Sequence, residues 1–231
     1  MGVCDIMIAE FFEYLGIPSS QLVQSANQTL YMLFVSLFLG SFLALVFAVT
    51  LVLTNKDGIL RNNYVFFTLN TFINTVRSIP FIILMVFIMP FTKLLVGTRI
   101  GTTAAIVPLT LFIAPYLSRL YENSFLTVDK GIIEAAKSMG ANTLQIVWHF
   151  LLPEATPTLI LSTTTGTISL LGATAMAGAV GAGGVGDLAL SYGFQRFNFP
   201  LMLFTVIVLI IFVQIIQTLG NLLALRYRNR Q

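Results

Sequence analysis

The chain has 231 residues, of which 57% are hydrophobic and only 9% are charged. Soluble domains carry about 25% charged residues, so this composition excludes an ordinary soluble domain and predicts an integral membrane protein. The formal net charge of +3 does not indicate nucleic acid, because the basic residues flank apolar runs, where they set orientation in a bilayer.

The first predicted element is a short helix over residues 6–18, which mixes aromatic and aliphatic residues with two glutamates and is predicted to lie on the outer membrane surface. Five apolar runs follow, and each is predicted to cross the membrane as a helix. They are residues 30–53, 65–91 (interrupted by Arg77 and Pro80), 100–118, 158–182 and 200–225. The sequence therefore predicts an all-α membrane protein with about five transmembrane helices.

The basic residues are divided unevenly between the two sides of these spans. If the C-terminus is cytoplasmic, eight of the twelve Lys and Arg residues fall in cytoplasmic segments, three fall outside, and Arg77 lies in the membrane. The eight are Lys56, Arg61, Arg119, Lys130, Lys137, Arg226, Arg228 and Arg230. The positive-inside rule then predicts an outer N-terminus and a cytoplasmic C-terminus. The chain divides into an outer tail over 1–27, a membrane domain over 28–225 and a basic cytoplasmic tail over 226–231.

The segment 119–157, between the third and fourth spans, is predicted to form a cytoplasmic elbow of two helices. Asp129 is a candidate N-cap for the first helix. An apolar stripe then follows at helical spacing, formed by Ile132, Ala135, Ala136 and Met139. Gly140 comes next, at the position of a left-handed helix stop.

The second helix of the elbow is predicted to be capped by Asn142 or Thr143 and to end at Pro153, with Pro157 at the start of the fourth span. The pattern allows two interpretations of the elbow. Its small apolar surface either enters the groove of a partner protein or packs on the chain's own helix bundle. Spacing alone favours neither.

The local motif of the elbow carries a family resemblance. Glu134-Ala135-Ala136, Gly140 after three residues, and Phe150-Leu151-Leu152-Pro153 after nine more resemble the EAA loop of bacterial ABC importer permeases. Phe150 departs from the usual Ile but keeps an apolar contact. The resemblance implies a type I importer fold whose coupling helix sits in a groove of an ATPase subunit. It assigns the coupling role to Glu134, Ala135, Ala136, Met139, Gly140, Leu152 and Pro153.

Further segments resemble the methionine uptake branch of that family, including Arg77 to Leu84, Ala104 to Thr110 and Gly178 to Gly184. This similarity spans roughly residues 28–225. It implies a homodimer in a bacterial inner membrane, two cytoplasmic ATPase subunits that bind ATP and Mg²⁺, and an extracytoplasmic substrate-binding lipoprotein. The implied substrate is methionine or a close analogue, carried by alternating access.

Nucleotide and metal motifs do not account for this chain. Gly181 to Gly186 satisfies the GxGxxG pattern, but membrane spans flank it and no Asp or Glu follows Asp187. None of the four lysines follows a glycine, so a P-loop is absent. The lone His149 has no triad partner or second ligand. The chain is therefore predicted to be a non-catalytic subunit without a cofactor or metal of its own.

Four residues are candidates for lining the translocation pathway: Arg77, Thr163, Thr167 and Met176. A charge at mid-membrane costs about 2.5–3.5 kcal/mol on insertion scales, so Arg77 is expected to face protein or water, or else to lie at the cytoplasmic rim. For Arg77 a structural role is slightly favoured over a substrate role. The two threonines either contact substrate or bond to helix carbonyls, and the packing role is favoured. Met176 is placed on the pathway by its position near the outer end of the fourth span.

A stand-alone secondary transporter or channel is the alternative function. Such a protein is expected to carry acidic groups for ion coupling within its spans, and the interiors of the predicted spans contain none. It would also leave the elbow without a role.

Overall fold

A computed structural model describes residues 15–228, which are mostly helical and contain no β-strand. The predicted helix over 6–18 lies largely outside this range. The longer helices are α1 (Ser19–Thr54), α2 (Asn63–Ser78), α3 (Phe81–Val96) and α4 (Thr102–Leu126), followed by the short helices α5 (Lys130–Ser138) and α6 (Thr143–Ile146). The remaining helices are α7 (Leu152–Ala177), α8 (Val185–Asp187) and α9 (Phe199–Arg228), with π-helical turns over Val147–Leu151, Gly178–Ala182 and Leu188–Phe194.

The number of apolar spans agrees with the sequence prediction. Within the described residues, four helical runs are long and apolar enough to cross a membrane, and a fifth is counted if α2 and α3 form one span. These two helices are bent by 109° at Ile79-Pro80. Proline lacks an N–H and disfavours the helical conformation in the residue before it, and Ile79 is accordingly extended (φ −86°, ψ 122°). The chain is an all-α, multi-pass membrane protein.

Two predicted helix boundaries are wrong. The first helix begins at Ser19 rather than near Leu30, so part of the predicted outer tail is helical. The helix of the third span does not end near residue 118 but continues to Leu126, which places Arg119 inside α4 rather than in the elbow. In both places polar side chains made the sequence resemble a loop. A helix nevertheless continues through polar residues wherever their polar groups find partners or water.

The predicted stop at Pro153 is also wrong. The second elbow helix passes from α6 through the π-helical turn Val147–Leu151 into α7, and both Pro153 and Pro157 lie within the continuing helix. The Leu152 N–H donates to the carbonyl of Val147, five residues back. This wider turn gives space at the point where a proline ring would otherwise meet the preceding turn.

The chain forms two compact units. Among residues 15–228, the first contains those up to Ser36 together with Phe81–Leu109 and Ser169–Gln214, and the second contains Leu37–Pro80, Thr110–Ile168 and those from Ile215. In the first unit, Leu15, Ile17, Leu188 and Leu201 form a buried cluster. In the second unit, a Cβ at Gly166 would collide with Leu117, and one at Gly220 would collide with Thr164, so both glycines permit close helix packing.

Within the first unit, a glycine-rich turn separates α7 from α8. Gly181, Gly183 and Gly184 have φ between +77° and +92°, a region that other residues rarely adopt. The N–H groups of Gly184 and Val185 donate to side chains of α1, namely Gln28 Oε1 and Thr29 Oγ1, each at 2.9 Å. Thus α8 receives its N-terminal cap from another helix, because glycine supplies no capping side chain.

Candidate functional site

The short helix α5 is closed at both ends by its own neighbours in sequence. Asp129 Oδ1 accepts from the Gly131 N–H at 2.6 Å, which confirms the predicted N-cap. Gly140 adopts φ +82°, and its N–H donates to the carbonyl of Lys137 at 2.9 Å. The Ala141 N–H donates to Ala136 O at 3.1 Å, which completes a Schellman motif. The predicted glycine stop is therefore confirmed.

The next helix begins immediately with a capping box. The Gln145 N–H donates to Asn142 Oδ1, and the Asn142 N–H donates to Gln145 Oε1, both at 2.9 Å. This resolves the choice between Asn142 and Thr143, with Asn142 as the N-cap. Only three residues, Met139 to Ala141, separate the end of α5 from the N-cap of α6. The orientation of α6 relative to α5 is therefore well defined.

The predicted apolar stripe of α5 divides between two sides of the helix. Ala136 is fully buried and Ile132 is half-buried, whereas Ala135 is exposed and Met139 is 72% exposed. Glu134 is exposed as well. The helix is therefore attached to the second unit through one side and presents the other side outward.

Exposed apolar side chains continue from α5 into the following helix. Leu144 is 68% exposed and Trp148, four residues later on the same helical face, is 61% exposed. We call Ala135, Met139, Leu144 and Trp148 the exposed apolar face. Large apolar groups at the surface of a polar elbow are typical of a protein contact.

A cavity of about 190 Å³ lies behind α5. Its walls come from the end of α1, the loop after it, the end of α4 and α5, and they include Leu53, Ile59, Phe125, Ile133 and the edge residues Glu134 and Lys137, which are exposed. Lys130 Nζ lies 3.5 Å from Asp57 Oδ2 at the surface, and both side chains are largely exposed. An ion pair so exposed contributes little to stability, so α5 is held in place mainly by the burial of Ala136 and Ile133.

Three of the four candidate pathway residues lie in the second unit. Arg77 is exposed in the last turn of α2. Thr163 Oγ1 lies 2.8 Å from Tyr121 Oη, and the Thr167 hydroxyl donates to the carbonyl of Thr163 at 2.8 Å. These bonds support the packing role of the threonines. Met176 belongs to the first unit and is 52% exposed.

Sequence reasoning missed a polar cluster between α2 and α4. Arg119 donates from Nη1 to Glu122 Oε2 at 2.6 Å and from Nη2 to the Oδ1 atoms of Asn70 and Asn74, the latter at 2.9 Å. Glu122 is buried. Two signals were available in the sequence: two amides four residues apart in α2, and a base and an acid three residues apart in α4.

Comparison with known proteins decides the family. Residues 40–229 match the model for the binding-protein-dependent transport system inner membrane component. The chain belongs to this family. Its membership sets aside the stand-alone secondary transporter, because components of this family work within a binding-protein-dependent system.

This inner membrane component has similar relatives along most of its length. A Vibrio cholerae protein, named a probable D-methionine transport system permease protein MetI, is 46% identical over 96% of this chain and 98% of its own length. A Bacillus subtilis protein, named a methionine import system permease protein MetP, is 44% identical over 75% of this chain and 78% of its own length.

The fold of the inner membrane component is also similar to a solved structure. A structure of inward-facing conformations of the MetNI methionine ABC transporter superposes with a TM-score of 0.89 and 42% identity. The alignment covers 90% of this chain and 97% of that one. The helical architecture, with its short capped elbow helix, is therefore the architecture of an ABC importer permease.

Proposed function

We propose that this chain is the membrane-spanning subunit of an ATP-driven importer for methionine, in the L or D form, and for close analogues. The observation that carries the proposal is the similarity to the Vibrio cholerae protein, which extends over 96% of this chain. The aligned region includes the elbow as well as the spans. It therefore supports a whole transport subunit rather than one shared motif.

The proposed assembly contains two copies of this chain, two cytoplasmic ATPase subunits and an extracytoplasmic binding lipoprotein, within membrane lipid. The family description, which refers to binding-protein-dependent transport, supports the last of these protein partners. ATP and Mg²⁺ bind to the ATPase subunits and supply the free energy of hydrolysis. This chain contributes no catalytic residue and binds no cofactor of its own.

The exposed apolar face is the proposed contact with the ATPase. A helix that lays an apolar side into a groove is a common mode of protein recognition. Small Ala135 permits close approach, Met139 supplies a flexible apolar anchor, and exposed Glu134 beside them is available to a basic group of the partner. Leu152 and Pro153 act behind this face, where the elbow joins α7.

The mechanism requires that α5 move as a unit with the helix that follows it. The Schellman motif at Gly140 and the capping box at Asn142 fix the junction, and the helix from Thr143 continues without a break into α7. Approach of the two ATPases on ATP binding would draw the paired elbows together and favour an outward-facing state. Hydrolysis would release them and restore the inward-facing state.

The proposed orientation places the N-terminus outside and α5, the ATPases and the C-terminus in the cytoplasm of a bacterium. Basic residues at Lys130, Lys137, Arg226 and Arg228 support this assignment through the positive-inside rule. ATP is then available on the side of the membrane where the exposed apolar face lies.

Uptake by the reconstituted complex tests the proposed function. The chain is expressed with the ATPase and binding protein encoded beside it, purified as a complex and placed in proteoliposomes with internal ATP. Labelled L- or D-methionine should accumulate only with ATP and binding protein present, and unlabelled methionine should compete more strongly than leucine or histidine. ATP-dependent uptake of another amino acid without uptake of methionine would show that the substrate assignment is wrong.

A further inference from the structure

The helix α2 carries a row of polar side chains on one face. Asn70, Asn74 and Arg77 lie at positions i, i+4 and i+7, so they follow one another along the helix surface. Asn74 and Arg77 are exposed and Asn70 is half-exposed. Within residues 15–228, the Arg77 side chain has neither a hydrogen bond nor an ion pair.

The neighbouring helix fixes which end of each amide faces outward. Arg119 has only hydrogen-bond donors, so the side-chain oxygens of Asn70 and Asn74 must face it, as the contacts to both Oδ1 atoms show. The Nδ2 groups of both residues are consequently directed away from Arg119. The exposed part of the row therefore presents N–H donors from the amide of Asn74 and the guanidinium of Arg77, with the half-exposed amide of Asn70 next to them.

The charge of Arg119 is already balanced within the cluster. Its Nη1 lies 2.6 Å from Glu122 Oε2, and the Glu122 side chain is only 9% exposed. The positive charge of Arg77 is thus the unbalanced charge of the row. A surface of unsatisfied donors with a net positive charge is unfavourable against lipid chains, so it requires water or a polar group that accepts hydrogen bonds.

We propose that Asn74 and Arg77, with Asn70 one turn further along α2, bind the carboxylate of the amino-acid substrate during its passage. This inference rests on the proposed transport function and identifies the part of the substrate that this helix recognises. A carboxylate has acceptors only, and its two oxygens match the planar donor fork of arginine. Asn74 and Arg77 are three residues apart, which places their side chains close enough to share one such group.

Asn74→Asp tests the proposal with little effect on the packing of α2 against α4. An aspartate keeps an acceptor for Arg119 but replaces the outward donor by a negatively charged acceptor, which repels a carboxylate. The amount of labelled methionine imported per ATP hydrolysed should fall roughly tenfold to a hundredfold, as expected for loss of a charge-assisted hydrogen bond. Arg77→Met should cause a similar fall, and Arg77→Lys a smaller one because the charge remains.

Asn221→Asp is the matched control. Asn221 is an exposed asparagine of α9 in the same unit, and its Oδ1 accepts only a long 3.4 Å bond from Gln217. This control should import methionine at the wild-type ratio. If Asn74→Asp and Arg77→Met also keep that ratio, the carboxylate site is disproved. Failure of wild-type protein to import methionine would instead disprove the proposed function.

Two further measurements separate the substrate from other acceptors. In vesicles of phosphatidylcholine alone and in vesicles that also contain phosphatidylglycerol, the Arg77→Met defect should be equal. A defect confined to the anionic vesicles would assign the row to lipid phosphate and overturn the proposal. Dissociation of the purified complex by Asn74→Asp would show that the row contacts the second copy, and would overturn it as well.

Discussion

The elbow and the glycine-rich turn each contain the start of a helix, and the two helix starts are capped in different ways. At the elbow, Asn142 and Gln145 satisfy each other's N–H groups within one turn of chain. At the glycine turn, Gln28 and Thr29 cap Gly184 and Val185 from 156 residues away. The first cap forms as soon as its helix forms, whereas the second requires the fold of its unit. The geometry of the elbow is therefore set by residues close in sequence, which suits a segment that moves as a rigid unit. The geometry of the glycine-rich turn must instead be maintained by tertiary structure.

The largest effect should come from Met139→Asp in the exposed apolar face. A charge placed in the centre of an apolar contact leaves it desolvated without a partner, so the ATPase should dissociate and ATP-dependent uptake should be almost abolished. Leu60→Asp is the control, because Leu60 is also an exposed apolar residue (54%) but lies off α5. Co-purification of the ATPase measures the effect, and equal retention by both variants would contradict the assigned contact.

The next effect concerns the remote cap. Thr29→Val keeps the shape of a side chain that is only 3% exposed but leaves the buried Val185 N–H without its acceptor. A buried unsatisfied donor costs about 1–3 kcal/mol. The melting temperature of the detergent-solubilised chain should fall clearly. Thr50→Val, at an α1 threonine whose hydroxyl bonds only to its own helix, should change it little. Equal shifts would mean that the remote cap is not stabilising.

A smaller effect is expected from Gly140→Ala at the end of α5. No heavy atom lies within 4 Å of the added Cβ, so the cost comes only from φ +82° and amounts to about 1–2 kcal/mol. The variant should lower both the stability of the protein and the amount of methionine imported per ATP. The connection between α5 and α6 would no longer be held in one conformation. Gly172→Ala, at a helical glycine that also has open space, is the control and should leave both unchanged or slightly raise stability.

The smallest effect is expected from Asn142→Ala, which removes the local cap. Loss of an exposed N-cap typically costs about 1 kcal/mol, since water replaces part of the lost hydrogen bond. Asn142→Ser should restore most of this stability. In thermal unfolding, the melting temperature should fall less for Asn142→Ala than for Thr29→Val. The opposite ranking would mean that the local cap is the more important of the two.

The sequence predicted those parts of the fold that depend on neighbouring residues. Asp129 was identified as a cap, Gly140 as a stop and Asn142 as one of two candidate caps, because each acts within one helical turn. The number of spans followed from hydropathy. Pro153 was misjudged because a π-helical turn, which depends on packing around Val147 to Leu151, accommodates it.

The polar cluster of Arg119 could not be derived from periodicity. Its members come from two helices that the fold brings together, and a basic residue near the end of an apolar run is equally typical of a loop. The Gln28 and Thr29 caps escaped prediction for the same reason, since a helix begun by glycines gives no sign of the side chains that will cap it. Long-range pairing of polar groups was thus the part that required the structure.

Labelling of a single cysteine on α5 tests directly whether this helix faces the cytoplasm and contacts the ATPase. Ala135→Cys in a Cys4→Ser background is treated with a membrane-impermeant maleimide in intact cells and in inside-out vesicles. Labelling should occur only in the vesicles, and bound ATPase should protect the cysteine there. Labelling in intact cells would place α5 on the side without ATP, where it could not contact the ATPase.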